Sequence, residues 1–532
     1  DAVLFGHAKD GNLHFVLAED IRSPEAVARF DRFLRGLVDV VVGKYDGALK
    51  AEHGSGRNMA PFVRTEWGDR AYEVMWRIKR LLDPDGIFNP GVVLNHDPEA
   101  HIKDMKPSPT ISPLADRCIE CGFCEGRCPS RDLTLTPRQR IVVTREQARL
   151  GASDDPSDRE WAEALREDFA YQGVTSCAGD SMCQTSCPVK IDTGALMKEL
   201  KAAAHPEWSK AAARLAARHF GIMAFGARAG LRTAWLLRAL PLGGRVLDLL
   251  TDVLHGLAPS LVPHLPPGLA LPRPAPRLPP AEDAHGSRAV VYFPTCLTRI
   301  LGPEPGQTMV PPARAALESL RWAGLTVRYP EGLTGLCCGM PFASKAFSEA
   351  ARAAAAKTAE ALWRASREGR DPVVTDASPC AGTLNDLALG FLRESGRTLR
   401  VFDFASFWAR EVLPGLASTP RRSGTAVLHP TCSLVKAGGL PDLMAVASAH
   451  TERVVVPRSA ECCGFAGDRG FLVPELTESA TRAEAAEVRG LLEGNGASLY
   501  STCRTCEIGM TRAVGRPYLS VLHLVHRAIT GA

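Results

Sequence analysis

Residues 176–194 run SCAGDSMCQTSCPVKIDTG: Cys177, Cys183 and Cys187 are spaced as metal ligands, and Asp180 stands where a fourth thiol would fall. Upstream, CIECGFCEGRCP (118–129) carries the intact pattern, with Cys118, Cys121, Cys124 and Cys128 followed by Pro129. In C-x2-C-x2-C-x3-C-P spacing three thiolates wrap one iron–sulfur cubane, while the proline turns the fourth cysteine toward a second cluster. A zinc knuckle or a chance run are the competing readings. The same crossover sends Cys187 to the cluster of Cys118, Cys121 and Cys124, and joins Cys128 to Cys177, Asp180 and Cys183. A carboxylate oxygen is a harder donor than a thiolate. The second site is therefore expected to be an Asp-ligated 4Fe–4S cluster or a 3Fe–4S cluster; otherwise Asp180 is a loop residue with solvent in its stead. Residues 113–200 are expected to form a helical, ferredoxin-like two-cluster domain.

The 532-residue chain is too long for one core and should divide into several units. Hydrophobic content of 45%, charged content of 23% and a net charge of +4 suit ordinary globular protein and argue against a nucleic-acid partner, which would need a concentrated basic stripe. No apolar run is long enough to span a bilayer. Sixteen clustered cysteines without an export signal point to metal ligation rather than disulfides, hence to the cytoplasm. The chain opens at Asp1 on a strand-like run, as expected for the C-terminal part of a longer protein.

Beyond residue 285 the sequence repeats itself degenerately. AVVYFPTCLTRI (289–300) returns as AVLHPTCSLVK (426–436), GLCCGMPFASKAF (335–347) as AECCGFAGDRGF (460–471), and VVTDASPCAGTL (373–384) as SLYSTCRTCEIGM (498–510). Short apolar strands alternate with Ala-rich helices, so each copy (285–415 and 421–532) should be a small α/β unit with a parallel sheet. Every cysteine group follows a strand, and ligands bind at the carboxyl ends of such strands. The first copy collects Cys296, Cys337, Cys338 and Cys380. The second collects Cys432, Cys462, Cys463, Cys503 and Cys506. Glycine after each vicinal pair frees the backbone to turn. These repeats resemble the CCG cysteine-rich domains of heterodisulfide reductase and of the iron–sulfur subunits of glycolate oxidase and anaerobic glycerol-3-phosphate dehydrogenase. The resemblance implies an iron–sulfur site, in some members non-cubane; zinc is the alternative, above all in the first copy. His429 replaces Phe293 of the first copy and is assigned to strand packing, and His523 and His526 to structure.

At the front, FGHAKDGNLHF (5–15) places Asp10-Gly11 as a two-residue hairpin turn. Counting outward pairs His7 with His14, close enough on one face to share a divalent metal. KAEHGSGRNMAPF (50–62) brings Glu52 and His53 to a Gly-rich turn, and Glu52 would complete an open Lewis-acid site. GHAKDGNLH, EHGSGR and LDPDGIFNPG resemble the C-terminal part of FAD-linked oxidases, D-lactate and D-2-hydroxyglutarate dehydrogenases in particular. That resemblance implies His7, His14 and Glu52 as ligands of zinc, manganese or iron, His53 as catalytic base, and Asn89 near the flavin.

The expected architecture is a multidomain α/β and α+β chain. It has an FAD-linked oxidase C-terminal portion (1–97), a linker (98–112), the two-cluster domain (113–200), a helical segment with a proline-rich spacer (201–284) and the two CCG repeats. The implied activity is FAD-dependent oxidation of a small D-2-hydroxy acid to the 2-oxo acid, with electrons passed singly through the clusters to a quinone, a cytochrome or an electron-transfer flavoprotein. The flavin domain is expected upstream, so this chain alone should bind FAD poorly. The Arg-bearing apolar stretch 211–262 is either a helical hairpin packed between domains or a peripheral contact with the inner face of the cell membrane. The rival function is a pure iron–sulfur electron-transfer subunit, which has no use for the His7/His14/Glu52/His53 set.

Overall fold

The computed structural model describes the chain except residues 1, 18–22, 51, 106–108, 241, 258–271, 282–287, 304–308, 494–495 and 532. It divides into two compact units, 1–121 with 141–166 and 122–140 with 167–532.

The first unit opens with an antiparallel hairpin, β1 (Ala2–His7) and β2 (Asn12–Leu17). Its register corrects the expected one. His7 pairs with Asn12, and His14 with Phe5. Ala8–Asp10 forms a 3-10 turn closed by Gly11 in the left-handed region, whose N–H donates to Ala8 O, so the loop holds four residues instead of two. The slip is by an even number of residues, so both histidines keep one face. A helix over Pro24–Val38 follows, its first turn capped by the Ser23 hydroxyl, which accepts from Ala26 N. Leu34 and Val38 of this helix bury against Phe62. After the helix Val63–Leu82 the chain folds back, and His101 Nε2 lies 2.6 Å from Asp31 Oδ1.

The second unit is dominated by two parallel sheets of identical topology. One is ordered β4–β3–β5–β6 (Thr326–Arg328, Ala289–Phe293, Val373–Thr375, Val401–Asp403). The other is ordered β8–β7–β9–β10 (Thr451–Val455, Arg422–His429, Ser498–Ser501, Tyr518–Ser520). Strand order reverses between the first and third strands of each sheet, which opens a crevice at their carboxyl ends. Helices cover both faces, as parallel sheets require. One core is common to both repeats: Tyr292, Leu317, Leu320 and Trp408 of the first pack with Leu443, Tyr500 and Val525 of the second. Helix Pro312–Trp322 lies against helix Val521–Thr530, with His523 Nε2 2.8 Å from Val310 O and His526 Nε2 2.6 Å from Glu318.

Between the two-cluster segment and the repeats lie helices Glu207–Arg218, Phe220–Arg238 and Gly243–Leu257. Ala213, Ala217 and Phe220 bury against Phe342, Ala350 and Ala354, whereas Ile222, Phe225, Leu242 and Leu249 are exposed. No helix among the described residues is long and apolar enough to cross a membrane. Half of the proline-rich spacer, 263–282, lies outside the described residues; the part that is described, 272–281, runs beside repeat 1, where Ala275 N donates to Ile300 O.

Candidate metal and cluster sites

The hairpin and the turn after residue 50 bring His7, His14, Glu52 and His53 together. His7 Nε2 is 3.4 Å from Glu52 Oε2, His14 Nε2 is 3.3 Å from Oε1, and His53 Nε2 is 3.0 Å from Oε1. The rings of His7 and His14 meet edge-on with centroids 5.7 Å apart. Ligand atoms of His7, His14 and Glu52 all lie within 4.8 Å of one another. Desolvation works against the charge of Glu52, but His7, His14 and His53 hold its carboxyl below the usual range. Two imidazoles and a carboxylate facing one point on an accessible surface suit an open divalent-metal site. Asn89 takes the left-handed conformation, φ +44°, in the exposed turn after Leu82; among the described residues no contact joins it to this group.

Of the first seven cysteines, Cys118 and Cys121 belong to the first compact unit, and Cys124, Cys128, Cys177, Cys183 and Cys187 to the second. Within the second, the short helix Met182–Ser186 packs on the turn Glu125–Arg127, so the two cysteine loops meet. Sequence reasoning missed Arg140. This fully buried guanidinium donates to Cys128 Sγ at 3.5 Å, to Ser130 Oγ at 2.9 Å, to Ser176 Oγ at 3.3 Å and to Gly173 O at 2.7 Å. It places a cation beside the Cys128 sulfur. Its only signal in the sequence was an arginine in the PRQR run after the cysteines. Burial pushes the Cys183 thiol up to about 12.

In the repeats, each Pro-Thr-Cys motif does the same local work. Thr295 Oγ1 accepts from Thr298 N, and Thr431 Oγ1 from Leu434 N, so each threonine caps a short helix whose first residue is cysteine. Gly339 and Gly464 have φ of +95° and +69°; a Cβ would lie 2.6 Å from Ala351 O and 3.0 Å from Leu476 O respectively. No other residue turns the chain there without moving a helix.

Repeat 2 gathers more than its thiols. Cys463, Cys506 and His429 form one group of ligand atoms, and Cys432, Cys462 and Asp180 another, each within 4.8 Å. His429 is thus more than strand packing. Its Nδ1 lies 2.9 Å from both oxygens of the buried Glu484, which turns Nε2 toward the sulfurs. A carboxylate behind an imidazole is the arrangement that orients metal-binding histidines. A hydrogen bond from Cys506, opposed by burial and aided by His429, draws Cys463 down to about 5. Cys503, lowered first by its bond from Cys506, completes the set.

Repeat 1 is sparer. Cys338 and Cys380 sulfurs are 3.3 Å apart, and Cys296 contacts Cys337. The buried Asp376 is occupied by Tyr292 Oη at 2.8 Å and Thr295 N at 3.0 Å. None of the sixteen cysteines forms a disulfide. Thiols in convergent groups fit metal or cluster ligation in both repeats, with nitrogen and oxygen donors added, among the described residues, only in the second.

Comparison with known proteins follows this geometry. Family models match residues 1–93 (FAD linked oxidases, C-terminal domain), 114–191 (4Fe-4S dicluster domain), and 290–385 and 426–511 (Cysteine-rich domain). The chain therefore joins an FAD-linked oxidase segment, a two-cluster iron–sulfur segment and a duplicated cysteine-rich segment, in a mixed helical and parallel-sheet fold. It is 27% identical over 245 residues to D-2-hydroxyglutarate dehydrogenase of Pantoea ananatis (36% of this chain, 24% of that protein). It is 34% identical over 98 residues to D-2-hydroxyglutarate dehydrogenase of Stutzerimonas stutzeri (18% and 20%). It is also 34% identical over 91 residues to D-lactate dehydrogenase (cytochrome), mitochondrial, of Arabidopsis thaliana (17% and 16%). The chain spans at most 24% of the length of these three relatives.

Proposed function

We propose that this chain serves the flavin-dependent oxidation of a D-2-hydroxy acid, of the lactate or 2-hydroxyglutarate class, to its 2-oxo acid, with electrons leaving through its iron–sulfur segments to a respiratory acceptor. The observation that carries the proposal is the convergence of His7, His14 and His53 on Glu52. An electron relay alone has no use for it. When bound, a divalent metal supplies Lewis acidity, FAD accepts the hydride, and clusters carry single electrons.

His7, His14 and Glu52 would hold the metal and so orient the substrate's hydroxyl and carboxylate. His53 Nε2 is engaged with Glu52, which leaves Nδ1 to take the hydroxyl proton. Asn89 would approach the flavin. Arg140 steadies the charge on Cys128, and the four thiols of repeat 1 with the five of repeat 2 would hold the distal centres.

On the acceptor side, a cavity of about 1030 Å³ in the second unit reaches Cys296; Phe225, Trp235, Arg228, Arg232 and Arg299 line it. Apolar walls with cationic donors suit a flat molecule bearing carbonyl oxygens, and this favours a quinone over a cytochrome or an electron-transfer flavoprotein. The exposed apolar residues beside the cavity on Phe220–Arg238 support peripheral contact with the cytoplasmic face of a membrane.

The test uses the full-length holoprotein under anaerobic conditions. D-lactate, D-2-hydroxyglutarate and glycolate are added separately, with flavin absorbance followed first and cluster EPR second. Bleaching by one D-2-hydroxy acid, then reduction of the clusters, is expected. Clusters that accept electrons only from a partner protein, with no bleaching by any of the three acids, would establish the relay function instead.

A further inference from the structure

By spacing alone, Asp180 belongs with Cys128, Cys177 and Cys183. The fold sets its carboxylate against Cys432 and Cys462 of repeat 2, while its charge is still felt at Cys183. Gly179 and Ser181, on either side, both have positive φ, +63° and +62°, and this double bend projects Asp180 out of its own loop. Met182 N donates to Asp180 Oδ1 at 3.2 Å and fixes the carboxylate plane. The following helix, Met182–Ser186, packs on the helix Cys432–Lys436 of repeat 2. Other contacts hold the two segments in place: Arg131 Nη1 lies 2.6 Å from Glu461 Oε2, next to Cys462, and Tyr171 Oη lies 2.5 Å from Glu475 Oε1.

The carboxylate thereby reaches Cys432 and Cys462, with the three ligand atoms within 4.8 Å of one another. Its Oδ2 is buried and accepts no hydrogen bond. Beside it stand two thiols, Cys462 a weak donor to the carboxyl, and such a buried carboxyl is costly unless it stays protonated or a cation sits there. Repeat 1 supplies the contrast within the same molecule. Among the described residues its corresponding pair, Cys296 and Cys337, has no carboxylate in a ligand group, and Phe293 stands at the position of His429.

We infer that Asp180 is an oxygen ligand of the metal centre of repeat 2, so that the two-cluster segment closes that centre from outside the repeat. The inference rests on the reading of repeat 2 as a metal centre. The donors then fall into two subsites on the vicinal cysteines. Cys462 faces Cys432 and Asp180; Cys463 faces Cys506 and His429. One hard oxygen and one imidazole nitrogen among thiolates suit a polynuclear iron centre whose end positions differ in ligand softness, or zinc at one position. Asp180 is also three residues from both Cys177 and Cys183, so a single short loop would carry ligands to two centres and provide the covalent path between them.

The test uses anaerobically purified full-length holoprotein with Asp180→Ala and Asp180→Cys, read by EPR, Mössbauer spectroscopy, metal content and X-ray absorption at the iron and zinc edges. Cys183→Ser and Cys462→Ser assign the signals of the two-cluster segment and of repeat 2. Asp180→Ala is expected to change the signal that Cys462→Ser abolishes, with loss of an oxygen scatterer, and to leave unchanged the signal that Cys183→Ser abolishes. Asp180→Cys is expected to keep the metal and exchange oxygen for sulfur there; this variant decides if the alanine variant does not fold. A change confined to the Cys183-dependent signal, or no change in either, overturns the inference. If repeat 2 carries only zinc, its redox role falls while Asp180 ligation still stands or falls on the zinc-edge difference.

Discussion

His53 and Glu52 are sequence neighbours, yet their roles diverge on geometry: Glu52 points between the two hairpin histidines, while His53 is largely exposed and engages the carboxylate through Nε2. A positioned general base contributes about 10²–10⁴-fold to rate, so His53→Asn should lower kcat/KM for the D-2-hydroxy acid by about that factor. Metal content, read by elemental analysis of the full-length protein, should be unchanged. Arg140 acts at the same scale. A charge-assisted hydrogen bond to a thiolate is worth about 1.5–3 kcal/mol, so Arg140→Met should lower the potential of the Cys128 cluster by roughly 60–130 mV, at 59 mV per tenfold for one electron. Potentiometric EPR titration reads it. The candidate ligands were legible as residue types at characteristic spacings. Arg140 and the placement of His429 against Cys463 and Cys506 were not, because each acts only through neighbours distant in sequence: Ser176 and Gly173 for one, Glu484 and Cys463 for the other.

Each repeated element has a backbone reason. Pro-Thr-Cys caps a helix, and Cys-Cys-Gly bends where only glycine passes. Gly339→Ala places a Cβ against Ala351 O on the helix Ser348–Ala365. With positive φ added, it should destabilise the fold by about 1–3 kcal/mol, measured by denaturant unfolding of the holoprotein, and should lower the metal bound at repeat 1. The hairpin shows how an element can be located correctly while its register is not. Asp10-Gly11 did mark the turn, but Ala8–Asp10 closed as a 3-10 turn and moved the pairing by two residues. Side-chain parity survived, so His7 and His14 still share one face.

Across the whole molecule, the two repeats share one core, and His523 stands at their junction, buried against Val310 O. Desolvation draws its pKa from 6.5 down to about 4. Between these values the unfolded chain binds a proton that the folded chain excludes, so stability rises with pH across this window and is lost as pH falls through it. The loss at pH 4 is on the order of 3 kcal/mol. Equilibrium unfolding from pH 7 to 4 should show this acid limb, flattened in His523→Gln. The cavity at Cys296 makes its own prediction: Phe225→Asp should slow reduction of a short-chain quinone while substrate-driven flavin bleaching proceeds unchanged, as stopped-flow absorbance would show.

Covalent spacing is a property of the chain, so the sequence by itself determined the two cysteine runs, the duplication, the parallel α/β form of each repeat and the histidine–carboxylate set at the front. Each cysteine run spans about a dozen residues and the repeats recur at matching offsets, while Glu52 and His53, 38 residues or more beyond His14, were joined to the hairpin by family resemblance. What only the tertiary structure decided is which donors meet. Asp180 lies some 250 residues from Cys432 in sequence, and its loop obeys the cluster spacing on either side of it. The positive φ at Gly179 and Ser181, together with helix Met182–Ser186 packing on Cys432–Lys436, takes the carboxylate to repeat 2. Ligand spacing constrains where a loop can reach; the packing of the surfaces around it selects which of those places it occupies.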